Sequence, residues 1–220
     1  MAHANSKHQI LLAVLPLAEA AGQPAWLDAG EQARLDGMAS PLRRRQFLAG
    51  HGLARRLAES LAGRPAGEWR WSVDDGQRRR LVHVDGEALF VSVSHSGDHV
   101  AAAVGRKALG LDLECDPRER DWAGLARSLF EPSLVDGVGA DPAAFRRAWA
   151  LAEAEAKRSG DGIQRAWLRR LLMEPANRPD AEAWTWPLAG QGTLALAAWP
   201  GATVEGGPGV PQAWRYRLAG

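Results

Sequence analysis

Three carboxylates and one ammonium stand at spacings that could gather them around a phosphate-bound cation. Asp112 and Glu114 flank Leu113 within Gly110-Leu111-Asp112-Leu113-Glu114, a stretch with strand character. Residues i and i+2 of a strand share a face, so both carboxylates point one way while Leu113 turns to the core. Paired oxygen ligands suit a hard cation such as Mg2+, which keeps several waters and takes substrate phosphates as remaining ligands. Two harmless acids on a solvent-facing strand edge would read the same. Trp149, Glu153 and Lys157 recur every four residues and therefore share one helix face. An ordinary surface Glu–Lys pair is the plain reading. The aromatic residue on that face implies partial burial, however, and lysine is scarce: Lys7, Lys107 and Lys157 are the only three, every other basic chain being arginine. A compact ammonium just before the Gly160-Asp161-Gly162 turn is a point charge suited to a phosphate.

Ser92-Val93-Ser94-His95-Ser96-Gly97 closes a β-like run. Ser94 and His95 are adjacent, so in a strand they point to opposite faces and cannot pair as nucleophile and base. The G-x-S-x-G elbow of serine hydrolases is absent as well. What the hydroxyls and imidazole offer is hydrogen bonds to an anion, although a strand end running into a loop looks alike. Arg43-Arg44-Arg45 and Arg78-Arg79-Arg80 are the basic clusters. Three successive residues cannot share one helix face, so part of each cluster is solvated and the rest is free to bind phosphate in a bidentate fashion. A nucleic-acid module is the weaker use of these arginines. The formal net charge is +1, with no interleaved aromatics and no zinc-finger or RNA-binding motif.

These residues need a scaffold. Ser40-Pro41 reads as a helix start, with Leu53, Leu57 and Leu61 at helical spacing and Gly63 and Pro65 at the end. Gly50 and Gly52, around His51, imply either close helix packing or room for a ligand. Residues 69–72, 81–84, 89–94, 100–104 and 109–113 are expected strands, separated by Gly86, Gly97-Asp98 and Gly105. Asp141-Pro142 opens a second long helix carrying Phe145 and Trp149, and a shorter one covers 122–130. Residues 163–174 read as helix or as extended chain. Short strands follow at 184–186, 193–199 and 214–218, with a Gly/Pro-rich loop at 200–211. Residues 9–15 are expected to form a buried first strand. A signal peptide fits less well, since the apolar run is short, broken by Pro16, and followed by Ala18-Glu19-Ala20.

Composition sets the frame. The 220 residues, 46% hydrophobic and 24% charged, suffice for one large or two small globular units. Cys115 is the only cysteine, which excludes intramolecular disulfides and a cysteine-rich zinc site and fits a cytoplasmic protein. No stretch is long enough to span a membrane. The fold class is α+β.

Taken in order, Ser94-His95-Ser96, then Gly110-Leu111-Asp112-Leu113-Glu114, then Trp149-x-x-x-Glu153-x-x-x-Lys157 before Gly160-x-Gly162 resemble the 4′-phosphopantetheinyl transferases. The chain length points to the Sfp-type branch, and the resemblance covers residues 30–163. It implies two pseudo-symmetric halves, residues 1–108 and 109–220, each a small mainly antiparallel sheet packed on a long helix, with the active site in the cleft between. It implies transfer of the phosphopantetheine arm of coenzyme A to a serine of an apo acyl or peptidyl carrier protein, with release of 3′,5′-ADP. Fatty acid, polyketide or nonribosomal peptide synthesis would use the product, and the enzyme would be a monomer. By the same resemblance Asp112, Glu114 and Glu153 would hold Mg2+, Glu153 would be the general base, and Lys157 would bind the phosphate under attack. Ser94 and His95 would contact the phosphates at the nucleotide end, with Arg80 as the basic residue preceding their motif and Arg44 or Arg45 near the 3′-phosphate. This sequence departs from the family pattern in three places. Ala152 stands where the family has lysine beside its glutamate, His51 follows Gly50 where arginine is usual, and Leu134 occupies the place of an acid. A degenerate homologue that binds coenzyme A with little transfer is the alternative these departures motivate.

Overall fold

Both long helices begin where the sequence caps them. The computed structural model describes residues 8–115 and 118–219, leaving Lys7 outside. After β1 (Gln9–Pro16) and α1 (Ala29–Asp36), α2 (Pro41–Ala62) starts on Ser40, whose hydroxyl accepts from the Arg43 N–H, and ends on Gly63 at φ +68°. It buries Phe47, Gly50, Leu53 and Ala54. A Cβ on Gly50 would lie 2.6 Å from Val93 Cγ1, and one on Gly52 would lie 3.2 Å from the Ala21 carbonyl. The glycine pair therefore serves close packing.

Four antiparallel strands follow: β2 (Trp69–Val73), β3 (Arg79–His83), β4 (Ala88–Ser96) and β5 (His99–Gly105), as the alternation predicts. Next come β6 (Gly110–Glu114), α3 (Trp122–Leu129), α4 (Val135–Gly139) and α5 (Pro142–Ser159). Asp141 caps α5 by accepting from Ala144 N–H, and Gly160 at φ +87° ends it. The open reading of 163–174 resolves into a single turn, α6 (Arg165–Leu168), followed by β7 (Leu171–Pro175). The chain closes with β8 (Ala183–Leu188), β9 (Gly192–Ala197), β10 (Thr203–Gly206) and β11 (Gln212–Leu218).

One sheet runs β10-β1-β5-β4-β3-β2 and the other β6-β9-β8-β11-β7. All pairings are antiparallel except β10 with β1. The expected loop at 200–211 thus needs correction. Thr203 to Gly206 pair with Gln9 to Leu12, so a stretch with weak strand propensity becomes a strand by covering the β1 edge. The architecture is α+β, with α2 packed on the first sheet and α5 on the second. The change of sheet falls between β5 and β6, while β10 returns from the later half to the first sheet.

The halves meet where β4 faces β6. Ser92, Ser94 and Ser96 share one face of β4, and their hydroxyls accept from the N–H groups of Leu111, Leu113 and Cys115 at 2.9, 3.2 and 2.9 Å. Alternate serines thus grip alternate amides of β6. Behind β6, α5 comes so close that a Cβ on Gly110 would collide with the Ala154 carbonyl. Ala150 and Ala154 pack on Ala183, Ala195 and Ala197, which gives the alanine-rich helix body its purpose. Among the described residues no helix is long and apolar enough to cross a membrane.

Candidate active site

The strand-to-strand grip delivers Asp112 to Lys157. Leu111 and Leu113 enter the core, so Asp112 and Glu114 turn the other way, as period-two alternation requires. Asp112 is 5% exposed. Its Oδ1 accepts from Lys157 Nζ at 2.6 Å and from Ser94 Oγ at 3.0 Å, while Oδ2 is buried with no partner among the described residues. Lys157 also donates to the Leu111 carbonyl at 3.1 Å.

Burial, then the charges of Asp112 and Glu153, push the Glu114 pKa up to about 7. Glu153 is also raised, by burial and by Asp112, against the pull of Lys157. Glu114 shares a hollow of about 230 Å3 with Trp122, Leu125 and Trp149, between α3 and α5. Among the described residues no three His, Cys, Asp or Glu side chains are gathered tightly enough to form a ready metal cage. The donor set nevertheless fits a hard cation that takes part of its shell from water and phosphate. All donors are oxygens, one buried oxygen lacks any partner among the described residues, and at Glu114 and Glu153 burial and the neighbouring acids outweigh the pull of Lys157.

Two hollows adjoin this seam. One, of about 360 Å3, is lined by Glu153, Lys157, Gly160, Ser92 and Arg79; the other, of about 340 Å3, by Arg34, Arg43, His51, Trp71 and His95. Arg79 and Val93 line both. The reason lies in the sheet. β3 pairs with β4 only as far as Phe90, so residues 91–96 of β4 keep one edge without a strand neighbour. The hollows lie along that edge.

The expected site residues divide. Asp112, Lys157 and Ser94 are in direct contact, and Glu114 and Glu153 lie within their field. Ser94 faces β6, whereas His95 faces the second hollow, where Arg43 Nη1 lies 3.0 and 3.2 Å from its two ring nitrogens. Burial, then the Arg43 charge, lowers the His95 pKa. His51 forms a wall of the same hollow, its ring between Phe47 and Trp71 at centroid distances of 3.9 and 4.2 Å. Its Nδ1 meets Glu31 Oε1 at 2.5 Å, and Glu31 also pairs with the fully buried Arg55. Burial lowers the His51 pKa. Its hydrogen bond to Glu31 opposes that shift and fixes the ring as a wall.

Arg44, Arg45 and Arg80 line neither of these hollows. Arg44 donates to the Leu35 carbonyl at 2.5 Å, and the exposed Arg45 lines neither hollow. Arg43, exposed and one turn before the buried Phe47 on α2, lines the second hollow. Arg80 lies on the opposite face of β3, its guanidinium 4.7 Å from the Phe90 ring centroid, while Arg79 shares the face of Leu81 and His83. Sequence reasoning did not name Arg34, and it named Arg43 and Arg79 only as members of their triplets. The helix phase set by Phe47 and Gly50, and the alternation 79, 81, 83, were the signals for the latter two. Ala152 is fully buried among Phe130, Phe145, Leu168 and Leu171, and Leu134 packs against that cluster.

No family model matches the chain. Among curated proteins it is similar to the 4′-phosphopantetheinyl transferase HetI of Nostoc sp. (strain PCC 7120), with 29% identity over 171 residues. The match covers 73% of this chain and 72% of that protein.

Proposed function

Starting from a chain related to the 4′-phosphopantetheinyl transferases, we propose that it moves the phosphopantetheine arm of coenzyme A onto a serine of an apo carrier protein and releases 3′,5′-ADP. The observation that carries this reading is the Asp112–Lys157–Ser94 contact, beside two raised glutamates, at the rim of an arginine-lined hollow. The diphosphate of coenzyme A lies over Lys157, and the nucleotide end extends along β4 toward Arg79, Arg43 and His95. A bond forms between the serine oxygen and the β-phosphorus as the bond to the 3′,5′-ADP oxygen breaks. Glu153, which lines the hollow beside Lys157, accepts the serine proton. Mg2+ would be held by Asp112, Glu114 and Glu153, and when bound it supplies positive charge against the diphosphate. Ser94 acts through Asp112, which it orients by the 3.0 Å hydrogen bond. Ala152 belongs to a packed core, and its neighbour Glu153 still lines the hollow beside Lys157.

We take the enzyme to be a cytoplasmic monomer acting on carriers of fatty acid, polyketide or peptide synthesis. The arginine clusters give little support to nucleic-acid binding, since Arg78 pairs with Asp74 and Arg80 covers Phe90. Glu153→Gln tests the base. Transfer to a carrier should fall about 10²–10⁴-fold, the usual contribution of a positioned base, while calorimetry still shows coenzyme A binding. A variant as fast as wild type refutes the role.

A further inference from the structure

We infer that Lys157 is a built-in counter-ion for Asp112 that is surrendered to the substrate diphosphate, which makes binding of the divalent cation and of coenzyme A strongly interdependent. The inference rests on the phosphopantetheinyl-transfer reading and adds an order of events to it.

The geometry is specific. Lys157 Nζ donates to Asp112 Oδ1 at 2.6 Å and to the Leu111 carbonyl at 3.1 Å, and lies 3.5 Å from Ser94 Oγ. All three lie on the β4–β6 side. The Lys157 side chain is 33% exposed, against 8% for Asp112, and it lines the hollow of about 360 Å3 together with Glu153 and Arg79. The ammonium is thus anchored inward with one flank open to the space where a phosphate would lie. The oxygen left for a cation is Asp112 Oδ2, on the carboxylate that already holds the ammonium. A divalent cation arriving alone meets a like charge bonded to the same carboxylate, which weakens its attraction to the acids. A diphosphate in the hollow offers Lys157 a second anion within reach of its long stem. Once the ammonium turns to it, both Asp112 oxygens face the cation. By linkage, whatever factor coenzyme A contributes to metal affinity, the metal returns to coenzyme A.

The test uses Mn2+ titrated into the full-length protein, with free Mn2+ followed by electron paramagnetic resonance, with and without coenzyme A. Wild type should bind Mn2+ weakly alone and more tightly with coenzyme A, by about 5–150-fold, the ordinary range of site coupling. Lys157→Met removes the charge and keeps the length, so Mn2+ alone should bind it more tightly than wild type, by about tenfold or more, with the coupling reduced. Lys157→Arg keeps the charge and should keep Mn2+ binding weak. Should the Met variant fail to fold, Lys157→Gln carries the same expectation. If wild type binds coenzyme A and transfers the arm, yet the neutral variant binds Mn2+ alone no more tightly, the counter-ion role is overturned. If wild type neither binds coenzyme A nor transfers, the reading beneath it fails instead.

Discussion

At the scale of single residues, the two oxygens of Asp112 differ in their surroundings. One is held by an ammonium and a hydroxyl, and the other is buried with nothing to bond. An unpaired buried carboxylate oxygen is costly to the fold. The proposed cation would give that oxygen a partner. The arginines separate by the same logic of facing. Arg43→Ala and Arg79→Ala should each raise the KM for coenzyme A about tenfold or more, as loss of a charge-assisted contact implies, while Arg45→Ala leaves it unchanged. Steady-state kinetics decides, and a KM that rises for Arg45→Ala but not for the other two contradicts the placement. Asp112, Glu114, Glu153 and Lys157 are legible in the sequence because strand and helix periods fix their faces. Which of three consecutive arginines enters the hollow depends on the phase that Phe47 and Leu81 impose on packing, and a triplet alone does not carry that phase. Glu31 shows a further kind of hidden residue. Burial alone would raise its pKa, but bonds from His51 and Arg55 outweigh that and bring it to about 2. Its partners lie 20 and 24 residues away, beyond any local pattern.

At the scale of elements, the site depends on how closely α5 approaches β6. Lys157 reaches Asp112 because nothing stands between the Gly110 Cα and the Ala154 carbonyl. Gly110→Ala should destabilise the fold by about 1–3 kcal/mol, the usual cost of overpacking, since a backbone carbonyl cannot rotate away as a side chain would. Chemical denaturation measures this, and wild-type stability in the variant would show that the helix can retreat freely. The serine ladder has a comparable role. The alternation Ser92, Ser94, Ser96 is visible in the sequence, yet its purpose is not, because a hydroxyl reads equally as an anion donor. The structure places these hydroxyls on the amides of β6, which fixes the register of the carboxylate pair against β4. β10 lay beyond sequence reasoning for a different reason. Thr203 to Gly206 have weak strand propensity of their own and become a strand through pairing with β1.

At the scale of the molecule, two helix-on-sheet halves meet along β4 and β6; the hollow of about 360 Å3 is lined from both of them, while the second hollow lies beside it within the first half. The halves contribute unequally. The first brings Arg43, Arg79 and His95, which line the hollows, and Ser94, which bonds Asp112; the second brings Asp112, Glu114, Glu153 and Lys157. β10, crossing from the second half to the first sheet, ties them together. The central claim is that this junction transfers a phosphopantetheine arm. Intact-mass spectrometry of an apo carrier protein incubated with the enzyme, coenzyme A and Mg2+ tests it most directly. The account predicts a carrier heavier by one phosphopantetheine arm with wild type and unchanged with Asp112→Ala. A carrier left unmodified by wild type, while a known phosphopantetheinyl transferase modifies the same preparation, would contradict it.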